Sequence, residues 1–151
     1  LVRDGQSSAG HRVVEETVKV HRPTPAQEEH LLRRLGQLTY EGGQFLAAAS
    51  HFRTALATKP DSGELHNWLG LCELANEDVA AAAASFTAAC DHGFAMGHTN
   101  LGVCQSRLGD LDSAMQSFEK AVELLPNDPI ARANYQAGAA ACAAACAAAA
   151  R

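Results

Sequence analysis

Residues 95 to 128 read AMGHTNLGVCQSRLGDLDSAMQSFEKAVELLPND, and the spacing of apolar residues along them decides the fold. Two apolar stripes at helical spacing run through the stretch, parted at Gly109-Asp110, where a glycine breaks the pattern. Pro126 closes it, because proline cannot continue a helix and constrains the residue before it. The stretch predicts two helices joined by a tight turn.

The same landmarks return upstream. Residues 29–62, EHLLRRLGQLTYEGGQFLAAASHFRTALATKPDS, and residues 63–94, GELHNWLGLCELANEDVAAAAASFTAACDHGF, align with that stretch. The recurring pairs are Leu35-Gly36, Leu69-Gly70 and Leu101-Gly102. Each is followed by an alanine (Ala48, Ala82, Ala114), a phenylalanine (Phe52, Phe86, Phe118) and a second alanine (Ala55, Ala89, Ala121). Breakers near Gly42-Gly43 and Asn76-Glu77 match Gly109-Asp110, and Pro60 closes the first unit as Pro126 closes the third. The offset is 34 residues from Leu35 to Leu69 and 32 from Leu69 to Leu101, so the second unit lost two residues in its closing turn. Glycine and alanine let the two helices of a unit approach closely, and phenylalanine is expected to fill the space between successive units. One such unit cannot bury its own apolar face, so stacking supplies the stability.

This set of landmarks resembles the tetratricopeptide repeat family over about residues 29 to 151. The third unit carries the resemblance best, through Leu101, Gly102, Gly109-Asp110, Ala114, Phe118, Ala121 and Pro126. Two departures stand out. Leu32, His66 and His98 replace the family's large aromatic early in the first helix, and the second closing turn, CDHGFAMGH at 90–98, is similar to Sel1-type repeats. The resemblance implies an all-α, right-handed superhelical solenoid with a concave face. Residues 28–128 would form three repeats (29–62, 63–94 and 95–128), and residues 129–151 a capping helix.

That last segment, PIARANYQAGAAACAAACAAAAR, begins with Pro129 in a first helical turn behind Asp128 as cap. Ala131, Asn134 and Tyr135 resemble the first helix of a fourth unit whose second helix is missing. Alanine is the best helix former, and Arg151 suits the negative end of the helix dipole. The alanine surface is flat and permits close contact with another helix. Residues 1–27 differ: DGQSSAG has linker composition, VVEETVKV suits a short extended segment, and RPTPAQ is not expected to be helical before Ala26. They are expected to form an arm, disordered alone or laid across a partner.

Composition narrows the function. Hydrophobic residues make up 47% of 151 and aromatics only 5%, a balance that suits small side chains between close helices. The net charge is −5 and no run of Lys or Arg exceeds two residues, the wrong sign for a phosphate backbone, so no nucleic acid is expected. The alanine tail is too weakly hydrophobic for a membrane span. Five cysteines, an odd number without framework spacing, argue for reduced thiols inside a cell. The chain starts at Leu1 rather than Met, as a processed product or a fragment would. Cytoplasm and mitochondrion both fit, and the start tilts the expectation to an imported, cleaved mitochondrial protein.

Candidates for chemistry are few. His66 and His98 share one repeat position, but two ligands do not make a structural zinc site, and packing in place of an aromatic is the expected role. Cys72 and Cys104 share another and are expected to pack as small hydrophobes. Cys142 and Cys146 lie four apart on one helix face. A metal- or thiol-dependent redox role resting on them is the remote alternative to inert packing. No nucleophile motif, P-loop or Gly-rich phosphate turn occurs. An enzyme is not expected, and neither is a cofactor or a metal site.

The resemblance places the binding surface on the first helix of each unit. Carried onto this chain, the groove positions are Arg33, Arg34, Gln37, Tyr40 and Glu41, then Asn67, Trp68, Leu71 and Leu74. Thr99, Asn100, Val103, Ser106 and Arg107 follow in the third unit, and Asn134 continues the row. Asn100 and Asn134 fall where the family often has an asparagine, whose amide offers a donor and an acceptor to a peptide backbone. Trp68 stands at that position in the middle unit. It is either a central binding anchor or a packing residue against a neighbouring helix or the arm. Chaperone-binding relatives clamp a C-terminal carboxylate with basic and asparagine side chains. Here Arg33 keeps one basic position, Gln37 and Trp68 replace asparagines, and Met96 and Asn100 replace the distal basic residues, so a chaperone tail is not the expected ligand. The expected function is protein–protein interaction, as an accessory or scaffold subunit of a larger assembly or as a free adaptor that catches an extended peptide.

Overall fold

The computed structural model describes residues 22–151. Seven α-helices follow one another in this range: α1 (Pro25–Glu41), α2 (Phe45–Thr58), α3 (Gly63–Ala75), α4 (Val79–Asp91), α5 (Met96–Arg107), α6 (Leu111–Leu124) and α7 (Pro129–Ala149). No strand occurs among the described residues. The expected arm lies mostly in residues 1–21, outside the described residues.

Helix starts follow local chemistry. At α1 the Gln27 backbone N–H donates to Thr24 Oγ1 at 3.3 Å, and the Thr24 N–H donates to Gln27 Oε1 at 2.8 Å. This capping box, with Pro25 in the first turn, starts the helix at Pro25. That moves the helix start one residue ahead of the expected Ala26 and takes residues 25–27 out of the expected arm. Ser62, Asp78, Asp110 and Asp128 cap α3, α4, α6 and α7 with side-chain oxygens. No side chain caps α5, which follows the shortened turn. The turns inside the three units share a left-handed residue at the same repeat position: Gly43 (φ 76°), Glu77 (φ 64°) and Gly109 (φ 86°).

Each helix packs on the next, and among the described residues contacts reach no further than the next but one. The first helices α1, α3, α5 and α7 touch in succession, whereas the second helices α2, α4 and α6 do not touch one another among the described residues. A layer whose members touch is the inner side of a curve; one whose members are spread apart is the outer side. The chain is an all-α solenoid with its first helices inside.

The core gathers into clusters that bridge the unit boundaries. Ala48, Ala49, Phe52 and Ala55 of α2 meet Leu65, Leu69 and Cys72 of α3, with half-buried Leu32, Tyr40, Leu56 and Trp68 around them. A second cluster joins Ala82 and Phe86 of α4 to Cys104 of α5. Phenylalanine packs across the unit boundary as expected, Phe52 against Leu65, Leu69 and Cys72, and it also packs within its own unit. A β-carbon on Gly36 would lie 2.7 Å from Phe52 Cζ, and one on Gly70 2.7 Å from Phe86 Cε1. The ring therefore enters the space its own unit's glycine leaves, and only its far side serves the next unit.

Candidate partner-binding groove

The inner layer brings part of the expected groove together. Arg33 Nη1 on α1 reaches Glu64 Oε1 on α3 at 3.2 Å, and Arg33 Nε lies 3.6 Å from Glu29 Oε1. One unit further, Asn100 Nδ2 on α5 donates to Asn67 Oδ1 on α3 at 2.8 Å. These two links tie successive inner helices across a separation of about one repeat. Asn67 and Thr99 are buried, and the Thr99 hydroxyl has no hydrogen-bond partner among the described residues.

Trp68 packs at the boundary between the first two units. Its ring stacks on Phe52 at 5.7 Å with planes 12° apart and meets Tyr40 edge-on at 5.7 Å. Tyr40 in turn lies 5.3 Å from Phe45. Tyr40 and Trp68 thus close the seam between the first two units, with Trp68 half-buried rather than displayed. Leu71 and Leu74 pack on the second core cluster. Gln37, Val103, Ser106 and Asn134 are half-buried, and Arg34, Glu41 and Arg107 are exposed. A cleft of about 320 Å³ at the first end of the inner layer is lined by His30, Arg33, Arg34 and Gln37.

Two helix-to-helix clamps had no place in the sequence reading. Ser85 Oγ on α4 donates to Glu73 Oε2 on α3 at 2.6 Å, and Ser117 Oγ on α6 donates to Gln105 Oε1 on α5 at 2.7 Å. Glu73 also pairs with Arg53 of α2 at 3.1 Å. The signal was present in the sequence. Glu73 and Gln105, like Ser85 and Ser117, are 32 residues apart, the same offset as the two Leu-Gly pairs.

The remaining candidates have no common centre. His66 stacks on His92 with ring centroids 5.4 Å apart, and its Nε2 donates to the Pro60 carbonyl at 2.9 Å. Burial, with Lys120 nearby, holds the His98 imidazole below its ordinary pKa. Burial pushes the thiols of Cys72, Cys90 and Cys104 up to about 11, with the Glu73 carboxylate adding to it at Cys72 and Asp91 at Cys90. Cys142 is half-buried and Cys146 exposed, both as free thiols. Among the described residues, no group of three His, Cys, Asp or Glu is placed to hold a metal ion, and no helix is long and apolar enough to cross a membrane.

Two family models, both described as tetratricopeptide repeat, match residues 33–95 and 95–128. The chain belongs to the tetratricopeptide repeat family. No curated protein matches it. Solved tetratricopeptide repeat (TPR) domains superpose on it well. The Sgt2 TPR domain from Aspergillus fumigatus is 18% identical with a TM-score of 0.76, over 82% of this chain and 83% of that one. The second TPR domain of human RPAP3, solved with the HSP70 peptide SGPTIEEVD, is 18% identical with a TM-score of 0.72, over 76% and 98%. The Yersinia enterocolitica type III secretion chaperone SycD, solved with a peptide of the translocator YopD, is 19% identical with a TM-score of 0.67, over 72% and 90%. At these identities the likeness shows the fold. It establishes the solenoid.

Proposed function

We propose that this tetratricopeptide repeat protein is a non-catalytic module that holds an extended stretch of another polypeptide along its inner helices. The observation that carries this is the Asn67–Asn100 amide pair. Their bond at 2.8 Å uses one Asn100 hydrogen and the Asn67 oxygen. Among the described residues, the Asn67 amide hydrogens and the Asn100 oxygen take no other bond, which leaves one donor and one acceptor side by side for a peptide unit. Peptides held by SycD and RPAP3 support the same reading by analogy of fold.

A permanent accessory subunit is the form of this function we favour, because an alanine-faced helix with an exposed surface from Ala143 to Ala150 suits a fixed neighbour better than a passing one. The RPAP3 domains, solved with HSP90 and HSP70 peptides, stand against the expectation that a chaperone tail is not the ligand. Titration with SRMEEVD and SGPTIEEVD decides that point. The test of the main reading is the native size of the protein in a gentle lysate. Co-elution in a large, salt-stable particle, lost on Asn67→Ala and Asn100→Ala, supports the subunit. Elution near 15.9 kDa sinks it and leaves the reversible adaptor.

A further inference from the structure

We infer that this chain associates head to tail with copies of itself, the Leu31–Leu35–Leu38 stripe of α1 seating on the outward alanine face of α7 of the next copy. The inference concerns the two ends of the stack and does not depend on what the inner helices bind.

The stripe is a repeated feature with one copy left uncovered. Thirty-four residues on, the same positions are Leu65, Leu69 and Cys72, which are 0%, 8% and 1% exposed and pack on Ala48, Ala49, Phe52 and Ala55 of the preceding helix. In α5 the positions are Gly97, Leu101 and Cys104, and in α7 they are Ala131, Tyr135 and Gly138; all are buried or half-buried. In α1 the three leucines are 59%, 47% and 52% exposed. In α3 and α5 this face meets an alanine-rich helix, through Ala48, Ala49 and Ala55 of α2 and through Ala82 and Ala89 of α4. An apolar face of this kind on a surface marks a contact site.

The chain carries a helix of that composition at its other end. Ala131 and Gly138 turn α7 toward the stack, and Ala133, Ala137, Ala140, Ala144 and Ala147 are exposed on its other side at spacings of three and four. Inside the molecule each first helix follows the preceding helix through a tight turn, so the two run in opposite directions. The same arrangement between copies sets Leu31, Leu35 and Leu38 against Ala147, Ala144 and Ala140. Both stripes span seven residues, about 10 Å of helix. It also places Glu28, at the positive end of α1, beside Arg151, at the negative end of α7, so charges and helix dipoles both match. An alanine face alone would attract nothing in particular; the leucine stripe and its three internal counterparts specify the fit.

The two faces differ, so the contact is heterologous and leaves a free face on every copy added. Sedimentation of the full chain between about 10 µM and about 1 mM, the range in which small interfaces assemble, should show an average mass that rises without stopping at a dimer. Leu35→Glu and Ala144→Glu change exposed positions, so both variants should keep the wild-type helical content and melting midpoint while remaining monomeric. Mixed in equal amounts they should form a dimer and nothing larger, because one intact head and one intact tail remain. A wild type that stays monomeric overturns the inference. So does association that survives Ala144→Glu, or a mixture that stays monomeric. Association seen only after removal of residues 1–21 would also overturn it, assigning the stripe to that segment instead.

Discussion

A β-carbon on Gly102 would stand 2.5 Å from Cε1 of Phe118, and one on Gly138 would stand 2.9 Å from Cδ2 of the same ring. Phe118 is held from both sides, by its own unit and by the helix after it. Gly102→Ala should therefore destabilise by about 1–2 kcal/mol, since overpacking outweighs the roughly 1 kcal/mol that alanine gains in a helix. Urea unfolding measures it. A variant more stable than the parent would mean that the ring has room to move.

Glu77 gives the opposite sign. It occupies the left-handed position that glycine holds in the first and third units, at φ 64°. A side chain there is strained, and glycine is not. Glu77→Gly should raise stability by about 0.5–1 kcal/mol, whereas Gly109→Ala should lower it. Thermal melts of the two variants check the pair, and a loss in Glu77→Gly would show that the carboxylate does something the turn geometry does not reveal.

Trp68 separates packing from recognition. Removing a half-buried ring stacked on Phe52 and edge-on to Tyr40 should cost about 2–3 kcal/mol in Trp68→Ala. Trp68→Phe should recover most of that. If partner binding is lost in Trp68→Phe while the melt is nearly unchanged, the indole contacts the partner as well as the core.

The thiols make a prediction about pH. Cys72, Cys90 and Cys104 have folded-state pKa values pushed from 9.0 to about 11, so between those values the native chain holds protons that the unfolded chain has released. Their contribution is fully present below pH 9 and is lost as pH rises toward 11. The melting midpoint should fall across that window, and by less in Cys72→Ala. At neutral pH, an alkylating reagent followed by mass mapping should modify exposed Cys146 first and reach Cys72 and Cys104 only on unfolding.

Much of the architecture was legible because its signals recur at a fixed period. The Leu-Gly pairs, the alanines and the breakers each appear three times, so helices and turns could be placed by self-comparison. The site was less legible. Trp68 sits at a groove position, yet its ring turns to Phe52, because a large aromatic gains more by closing the seam than by standing in water. Asn67 and Asn100 were placed in the row, but their bond links residues 33 apart, and no local pattern announces it. The start of α1 was missed for another reason: with Thr24 and Gln27 forming a capping box, Pro25 falls at the first helical position, where its missing N–H costs nothing.

Among the described residues, no helix touches one more than two places along the chain. Each unit therefore senses only its neighbours, and a disturbance at α1 has no direct route to α7. A polypeptide lying along the inner layer would be the one object in contact with all the units together. Its arrival would turn a row of locally coupled hairpins into a body that melts as a whole, so the partner would set the molecule's cooperativity as well as its affinity.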